Sequence, residues 1–187
     1  MLQVRVPMII VAVIGLKKCG KTTTAEALIR EFKARGYKVG GIKVMTLSKF
    51  TVDTKGKDTW RHKEAGADVV VSLSSDELAY IERMERHASL DDALKHLPPG
   101  IEVLICEGLT EERKGIIRVV AARNIGSLKD TFDVRGITGG VIALTGIMAN
   151  EVKEHPIYPV FNCTEAEGAS ALADLILEES ETPDGGS

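Results

Sequence analysis

Aromatic residues are scarce in this sequence, at 4% of the chain. An interior with so few large rings must be filled by Val, Ile, Leu and Ala, which are the usual residues of parallel sheets covered by helices. The basic residues are not interleaved with aromatic side chains on which bases could stack, and the pI is about 5.9. The composition therefore favours an α/β fold and predicts no nucleic-acid partner.

Cysteine is also rare, with only Cys19, Cys106 and Cys163 in 187 residues. These positions lie far apart and form no C-x-x-C pair, which argues against both a disulfide framework and a zinc knuckle. The four histidines show no metal-ligand spacing either. A reducing compartment is the simplest setting for such a chain.

Long apolar runs are missing as well. The N-terminal run from Val6 to Leu16 is shorter than the roughly 20 residues that a membrane-spanning helix needs. It leads into Lys17 and Lys18 and not into a small-residue cleavage site of the kind that ends a signal peptide. We therefore expect a cytoplasmic protein without a membrane partner.

Charge is unevenly distributed along the chain. The net charge is −3, but residues 151–187 carry −8, which leaves +5 on residues 1–150. The acidic end is compatible with a solvated helix and tail or with a partner-binding surface. The length favours a single domain, for which we take residues 1–180, followed by a polar, glycine-rich tail at 181–187 that we expect to be disordered.

A glycine-rich motif follows the first apolar run. Gly15 to Thr22 read G-L-K-K-C-G-K-T, the G-x-x-x-x-G-K-T spacing of a phosphate-binding P-loop. The preceding residues 8–14 are almost continuously apolar, which predicts a buried strand in the middle of a sheet. Apolar residues then recur at helical spacing from Ala25 to Phe32, and Gly36 is placed to end that helix. Strand, loop and helix therefore follow in the order that a P-loop requires.

Each residue type in the motif suits a role in binding a nucleoside triphosphate. Backbone N–H groups of the loop and the positive end of the next helix would surround the phosphates. Lys21 would bridge the β- and γ-phosphates, the Thr22 hydroxyl would ligate Mg²⁺, and Thr23 is the candidate for an α-phosphate contact. The predicted nucleotide-binding residues are Gly15, Leu16, Lys17, Lys18, Cys19, Gly20, Lys21, Thr22 and Thr23.

A P-loop site needs a second acidic group near its metal ion, usually at the end of a buried strand. The apolar run that ends at Cys106 is followed by Glu107 and Gly108. We predict that Glu107 holds the Mg²⁺ shell or orients an attacking water, so it is both a catalytic and a metal-site candidate. The alternative is a solvated acid at a strand end.

Charged residues also crowd a predicted junction between a loop at 46–57 and a helix at 59–65. Asp53, Lys57, Asp58 and Arg61 combine groups that bind Mg²⁺ with groups that bind phosphate oxygens. The cluster is compatible with a switch loop in which Asp53 acts on the metal and in catalysis. It is equally compatible with a charged surface loop in which Asp58 caps the helix.

Strand and helix patterns alternate through the rest of the chain, which predicts a three-layer P-loop NTPase with a mostly parallel sheet flanked by helices on both faces. Residues 78–84 are compatible with either a strand or a helix. Capping boxes are predicted at Ser89 with Asp92 and at Thr164 with Glu167. The remaining predicted strands are 37–45, 69–73, 102–106, 115–122, 140–144 and 157–161, and the remaining predicted helices are 90–97, 147–154 and one opened by the second capping box.

Several sequence blocks together resemble the MobB family of molybdopterin-guanine dinucleotide biosynthesis proteins. They are the P-loop itself, V-G-G-I-K from Val39, D-T-K-G-K-D-T-W-R-H from Asp53, A-G-A at Ala65, L-I-C-E-G-L from Leu104 and P-V-F from Pro159. The blocks span most of the chain in the family's order. Val44 and Met45 stand where many bacterial relatives carry histidines.

The resemblance implies a GTP-binding homodimer with at most slow, Mg²⁺-dependent GTPase activity. Its implied partner is the nucleotidyltransferase that joins GMP to molybdopterin, with molybdopterin itself as a further candidate ligand. The resemblance also favours a site role for Asp53, Lys57, Asp58 and Arg61, and adds Lys43 as a phosphate or partner contact. The chain has no Asn-Lys-x-Asp motif, so the preference for guanine is implied by the resemblance alone.

A different class of function fits the P-loop without the other blocks. A kinase or other phosphoryl transferase for a small metabolite would use Glu107 or Asp53 to orient the acceptor hydroxyl. Such an enzyme is expected to carry arginines over the phosphates, for which Arg83, Arg86 and Arg113 are candidates. The family blocks favour the accessory protein over this alternative.

Overall fold

The computed structural model describes residues 8–45 and 51–182. These residues form two compact units, one that runs to Val44 and resumes at His96, and one that covers Met45–Lys95. The single domain over 1–180 stays a prediction. Glu181, assigned above to a disordered tail, is the last residue of a helix, while residues 183–187 and 46–50 of the predicted tail and loop lie outside the described residues.

The first unit is built on a parallel sheet. The strands of the chain are β1 (Ile9–Gly15), β2 (Val39–Lys43), β3 (Val69–Leu73), β4 (Leu78–Glu82), β5 (Val103–Glu107), β6 (Ile116–Ala121) and β7 (Val141–Thr145). Five of them form one sheet in the order β2-β5-β1-β6-β7. Central β1 pairs in parallel with β5 and β6, so that Val11 lies opposite both Ile105 and Ile117. This explains why β1 is apolar on both faces, as predicted.

Helices cover both faces of this sheet. The helices of the chain are α1 (Lys21–Ala34), α2 (Asp58–Glu64), α3 (Leu90–Lys95), α4 (Ile125–Arg135) and α5 (Ala166–Glu181), with a short 3₁₀ helix at Ile147–Asn150. α1 and α5 share one buried cluster that includes Phe32 and Leu172, while α4 joins a second cluster through Leu128. The predicted three-layer α/β architecture is confirmed.

The sequence patterns missed α4, although its ends are well marked. The side chain of Asn124 accepts a hydrogen bond from the backbone of Ser127, and the Ser127 side chain bonds back to the backbone of Asn124. Gly136 ends the helix in a left-handed conformation at φ 62°. Such an N-cap and C-cap pair is a recognised helix signature, but Leu128 is the one apolar residue of this helix that is fully buried, so the apolar periodicity is weak.

The predicted strand at 157–161 is wrong. Only Val160 forms a bridge there, in parallel with Leu144, supported by hydrogen bonds from Leu144 N to Pro159 O and from Phe161 N to Leu144 O, both 2.9 Å long. Pro156 and Pro159 have no backbone N–H to donate, which prevents a continuous ladder. The segment nevertheless follows the edge of the sheet beyond β7.

Two helix predictions in the same region also need correction. The expected helix at 147–154 is confined to the 3₁₀ turn that ends at Asn150. The predicted capping box at Thr164 and Glu167 is absent, because α5 begins after Glu165 and has no side-chain cap. The Thr164 hydroxyl instead donates to Asn162 Oδ1 over 2.7 Å, an interaction that stabilises the preceding turn.

The second unit contains an antiparallel hairpin and two short helices. β3 pairs with β4, which settles the ambiguity at 78–84 in favour of a strand. The predicted capping box of α3 is confirmed, since Ser89 N donates to Asp92 Oδ2 and Asp92 N to Ser89 Oγ. One face of the hairpin is apolar and exposed, with Leu73 at 77% and Leu78 at 67% exposure. Within the described part of the chain, no helix combines the length and apolar character needed to cross a bilayer.

Candidate functional site

The glycine-rich loop connects the end of β1 to the start of α1, as the motif predicts. Its backbone enters the left-handed region at Lys18, with φ 56°, and at Gly20, with φ 98°. A side-chain-bearing residue adopts such a conformation at a cost, and positions of this kind concentrate at binding sites. Lys17 and Lys18 are exposed, whereas Cys19 is buried beneath the loop, where its thiol donates to Leu16 O over 3.0 Å.

Lys21 lies across the loop that it is expected to serve. Its ammonium group donates to Leu16 O and is 3.8 Å from Cys19 Sγ. Two arginines from outside the motif hold the loop carbonyls, because Arg123 donates to Lys18 O over 3.4 Å and Arg135 to Gly15 O over 3.2 Å. These contacts hold the loop in place.

Thr22, Lys43 and Glu107 meet beside the loop. The Thr22 hydroxyl donates to Glu107 Oε1 over 2.9 Å, and the Lys43 ammonium forms an ion pair with the same carboxylate oxygen. Glu107 is the last residue of β5 and is only 8% exposed. Parallel β2 and β5 place Lys43 directly opposite Glu107. The structure thus unites three residues that span 85 positions of the chain.

The donor set at this point suits Mg²⁺. A hydroxyl and a carboxylate are hard oxygen donors, and Mg²⁺ is typically held by one or two such protein groups together with waters and phosphate oxygens. Thr22 and Glu107 share a hydrogen bond, so both oxygens are within reach of one ion. Among the residues described, no group of three or more His, Cys, Asp or Glu side chains is arranged to hold a metal ion.

Gly146, which follows β7, packs against the phosphate loop and is a position that the sequence patterns missed. It allows β7 to approach the phosphate loop, since Ile147 N donates to Cys19 O over 3.0 Å. A Cβ atom at Gly146 would lie 2.3 Å from Cys19 O, and the residue has φ 92°. Only glycine fits both conditions. The available signal was Thr145-Gly146 after an apolar strand, which repeats the Glu107-Gly108 pattern at the end of β5.

A cavity opens between the first turn of α1 and the segments that follow β7. Its empty space is about 290 Å³, including its open mouth. Gly20, Thr23 and Thr24 form one wall, and the opposite walls come from two segments, 145–150 and 162–164. The cavity therefore adjoins the phosphate loop and lies within the first unit.

Buried hydroxyl and thiol side chains form the floor of this cavity. Thr24 Oγ1 lies 3.3 Å from Thr145 Oγ1, and Thr145 Oγ1 donates to Phe161 O over 2.9 Å and lies 3.4 Å from Cys163 Sγ. Burial raises the pKa of the Cys163 thiol, so the floor carries no thiolate at neutral pH. Cys106, within β5, is likewise a neutral core thiol, with a pKa raised to about 12 by burial.

The second predicted cluster lies in the other unit and divides in two. Asp53 Oδ1 accepts hydrogen bonds from Thr54 N and the Thr59 hydroxyl, and its Oδ2 lies 2.9 Å from Lys63 Nζ. The Lys63 hydrogen bond holds the pKa of Asp53 below its usual value, against the opposing effect of burial. The Asp53 side chain is only 5% exposed, so a catalytic or metal role for it stays a prediction.

The other members of that cluster face solvent. Lys57 precedes α2 in an extended conformation and provides no side-chain cap. Asp58 and Arg61 lie 3.6 Å apart with 89% and 69% of their side chains exposed. Pairs as exposed as this contribute little to stability. Their positions leave both groups accessible to a ligand or a partner.

Arg83 and Arg86, two of the three arginines proposed above as a kinase lid, have local partners. Arg83 pairs with Glu64 at 3.3 Å, and Arg86 donates two hydrogen bonds of 2.6 and 2.7 Å to Asp92. Asp92 consequently has a pKa well below its usual range, with the Arg86 hydrogen bond as the largest cause. Both arginines thus pair with acids of their own unit.

Comparison with known proteins points to the same family as the sequence motifs. The family model for molybdopterin guanine dinucleotide synthesis protein B matches residues 10–135. A molybdopterin-guanine dinucleotide biosynthesis adapter protein from Haemophilus influenzae is 32% identical over 104 residues, which are 55% of this chain and 58% of the relative. A putative adapter protein of the same kind from Methanocaldococcus jannaschii is 35% identical over 109 residues, or 57% and 43% of the two chains. The matches thus span about half the length of these curated relatives.

Solved structures of similar fold cover more of the chain. A crystal structure of Bacillus subtilis MobB has a TM-score of 0.70 at 23% identity and covers 89% of this chain and 96% of its own. A MobB homolog from Bacillus stearothermophilus has a TM-score of 0.66 at 20% identity and covers 91% and 99%. At these identities the likeness establishes the fold.

Proposed function

The chain belongs to the molybdopterin guanine dinucleotide synthesis protein B family, and from that premise we propose that it binds Mg²⁺–GTP as an accessory protein in forming the guanine dinucleotide form of the molybdenum cofactor. The curated relatives are named as adapter proteins of that biosynthesis. An adapter needs a partner, which we take to be the nucleotidyltransferase that joins GMP to molybdopterin. We place this activity in the cytoplasm.

The observation that carries the proposal is the contact between Thr22 and Glu107. Eighty-five positions separate these residues, yet their side chains are hydrogen-bonded next to the glycine-rich loop. A P-loop hydroxyl beside a strand-end carboxylate is the arrangement that binds a nucleotide-bound Mg²⁺. Bound there, Mg²⁺ would neutralise phosphate charge. Lys21 and the loop N–H groups would bind the β- and γ-phosphates, and Thr23 would contact the α-phosphate.

The same contacts argue for slow turnover at most. Glu107 is engaged by both Thr22 and the ammonium group of Lys43, so its Oε1 atom already has two partners. Strong GTPases also place an arginine against the developing charge. Arg123 and Arg135, which lie next to the loop, donate to its carbonyls. Binding and delivery of GTP therefore fit this site better than rapid hydrolysis.

The exposed charges of the second unit are the proposed contact with the partner or with molybdopterin. Lys57, Asp58 and Arg61 are solvent-exposed, and the planar guanidinium group of Arg61 is suited to phosphate or carboxylate. The apolar face of the β3–β4 hairpin, which includes Val71 at 48% exposure, supports the proposed homodimer. Sedimentation equilibrium of the full chain tests that assembly.

A reconstituted assay of guanine-dinucleotide cofactor formation tests the function. The native chain should stimulate the nucleotidyltransferase when GTP and Mg²⁺ are present. Arg61→Ala should keep native GTP affinity but lose stimulation. Arg83→Ala is the matched control, because Arg83 is a similarly exposed arginine of the same unit, with 61% of its side chain accessible, and should stimulate normally. Failure of the native chain to stimulate would contradict the proposal.

A further inference from the structure

We propose that the cavity beside α1 receives the base of the bound nucleotide, and that Asn162 selects a purine with a carbonyl at its six position, as guanine has. This inference rests on the proposed nucleotide binding and assigns it a specificity residue. The chain lacks the Asn-Lys-x-Asp motif through which many GTPases read guanine, so the preference must come from other groups.

The position of the cavity is the first reason. Gly20 of the phosphate loop and Thr23 of the first turn of α1 line the cavity, so a nucleotide whose phosphates occupy the loop can extend its base into this space. Ile147 lies on the rim of the cavity with 45% exposure, and an exposed aliphatic side chain beside a cavity is suited to cover one face of a base.

The orientation of the Asn162 amide is the second reason. Its Oδ1 accepts hydrogen bonds from Thr164 N over 3.1 Å and from the Thr164 hydroxyl over 2.7 Å. Its Nδ2 donates to Glu165 Oε1 over 2.7 Å. A flipped amide would set NH₂ against the Thr164 N–H and a carbonyl oxygen against a carboxylate, which are both repulsive. The local network therefore fixes Asn162 as a hydrogen-bond donor.

The second N–H of Asn162 has a weaker partner that a ligand could replace. It is directed towards Asn150 Oδ1 at 3.3 Å, a long contact to an exposed residue. An entering base can replace Asn150 as the acceptor. Both purines present an N7 acceptor on this edge, but guanine adds the O6 acceptor where adenine has an N6 amino donor. A fixed donor that faces the six position consequently pairs with guanine O6 and opposes the N6 amino group of adenine, and a donor left unpaired beneath a bound base is disfavoured.

Calorimetric titration with GTP, ITP and ATP, each with Mg²⁺, tests the assignment. ITP keeps the O6 carbonyl of guanine but lacks its amino group, so it should bind within about threefold of GTP, while ATP should bind at least about tenfold more weakly. The test variant combines Asn162→Asp with Glu165→Gln. It replaces the donor with an acceptor and restores the local hydrogen bond with reversed polarity.

The double variant should lose most of the preference, so that the ratio of GTP to ATP affinity falls by at least about tenfold. Thermal unfolding checks that it folds, and Asn162→Ser, expected to show the same loss, serves in its place if it does not. Lys21→Ala is the matched control, since it should weaken all three nucleotides equally.

Three results would overturn the inference alone: equal binding of GTP and ATP by the native chain, ITP as weak as ATP, or an unchanged ratio in the folded variant. A native chain that binds none of the three nucleotides would refute the proposed function, and the base site with it. The two failures are therefore distinguishable in one set of titrations.

Discussion

Replacement of Glu107 by Gln separates a metal-site role from a structural one. The substitution keeps the size of a side chain that is 8% exposed and removes only its charge. The amide oxygen can still accept the Thr22 hydrogen bond that is 2.9 Å long in the native chain. The ion pair with Lys43 is lost, but half of the Lys43 side chain is exposed. Water therefore compensates most of that loss, and the free energy of unfolding should fall by less than about 1 kcal/mol.

The effect on nucleotide binding should be larger and should depend on the metal. Removing a carboxylate that holds or supports a metal typically costs about 10- to 100-fold in metal affinity. We expect native-like GTP affinity in the presence of EDTA and a loss of at least about tenfold when Mg²⁺ is present. Calorimetric titration of GTP under the two conditions gives both numbers on one preparation.

Lys43→Met is the control for this experiment. It also breaks the ion pair with Glu107 but leaves the carboxylate in place, so the gain in GTP affinity on adding Mg²⁺ should persist. If Glu107→Gln retains the full Mg²⁺ gain, or if both variants lose it equally, Glu107 is a structural partner of Lys43 and the metal-site assignment is refuted.

Three further predictions follow from packing and charge. Gly146→Ala should lower the free energy of unfolding by about 2 kcal/mol and weaken GTP binding, since the new Cβ would lie 2.3 Å from Cys19 O; chemical denaturation and calorimetry measure both. Leu172→Ala should destabilise by about 3 kcal/mol because Leu172 is fully buried, whereas Ile157→Ala, at 73% exposure, should cost less than about 0.5 kcal/mol; equal losses would contradict the assigned core. Because the pKa of Asp53 is lowered in the folded chain, its contribution to stability is present above the unfolded pKa of about 4 and is lost as the pH falls through the folded pKa. Asp53→Asn should therefore be less stable at pH 7 and show a weaker acid dependence, and an unaltered acid-unfolding curve would refute the Lys63 pairing.

The parts of the fold that depend on strong local patterns could be predicted from the sequence. β1 is apolar on both faces because it lies between β5 and β6, and such a run is recognisable without a structure. The turn from Gly15 to Lys21 was likewise predictable, since its glycine and lysine spacing is tied to phosphate chemistry. The capping box at Ser89 was found because its two partners are three residues apart.

The missed features depend on tertiary contacts or on competing local chemistry. α4 has well-marked caps but a narrow buried face, so its periodicity is weak. Pro156 and Pro159 interrupt a segment whose apolar residues suggest a strand. Thr164 bonds to Asn162 and not to the first turn of α5. Short polar side chains such as Thr164 and Asn162 can hydrogen-bond to several backbone and side-chain groups, and sequence spacing alone does not determine which bond forms.

The candidate site also contains some residues that local patterns predict and others that only tertiary contacts reveal. Lys21 and Thr22 were identified from the motif, and Glu107 from its position after an apolar strand. The partnership of Lys43 with Glu107 follows from the register of β2 against β5, which no local pattern reveals. Gly146 and Asn162 belong to the cavity because chain segments distant in sequence converge on α1.

The most direct test of the account is calorimetric titration of GTP, with Mg²⁺, into the native chain and into Lys21→Ala. The loop geometry and the Thr22–Glu107 contact predict saturable binding of one GTP per chain, weakened by at least about tenfold in the variant because a charge-assisted contact to phosphate is lost. Lys33→Ala, which removes an exposed lysine in the last turn of the same helix, should bind like the native chain. Absence of GTP binding by the native chain, or undiminished affinity in Lys21→Ala, would contradict the assignment of the loop as a nucleotide site.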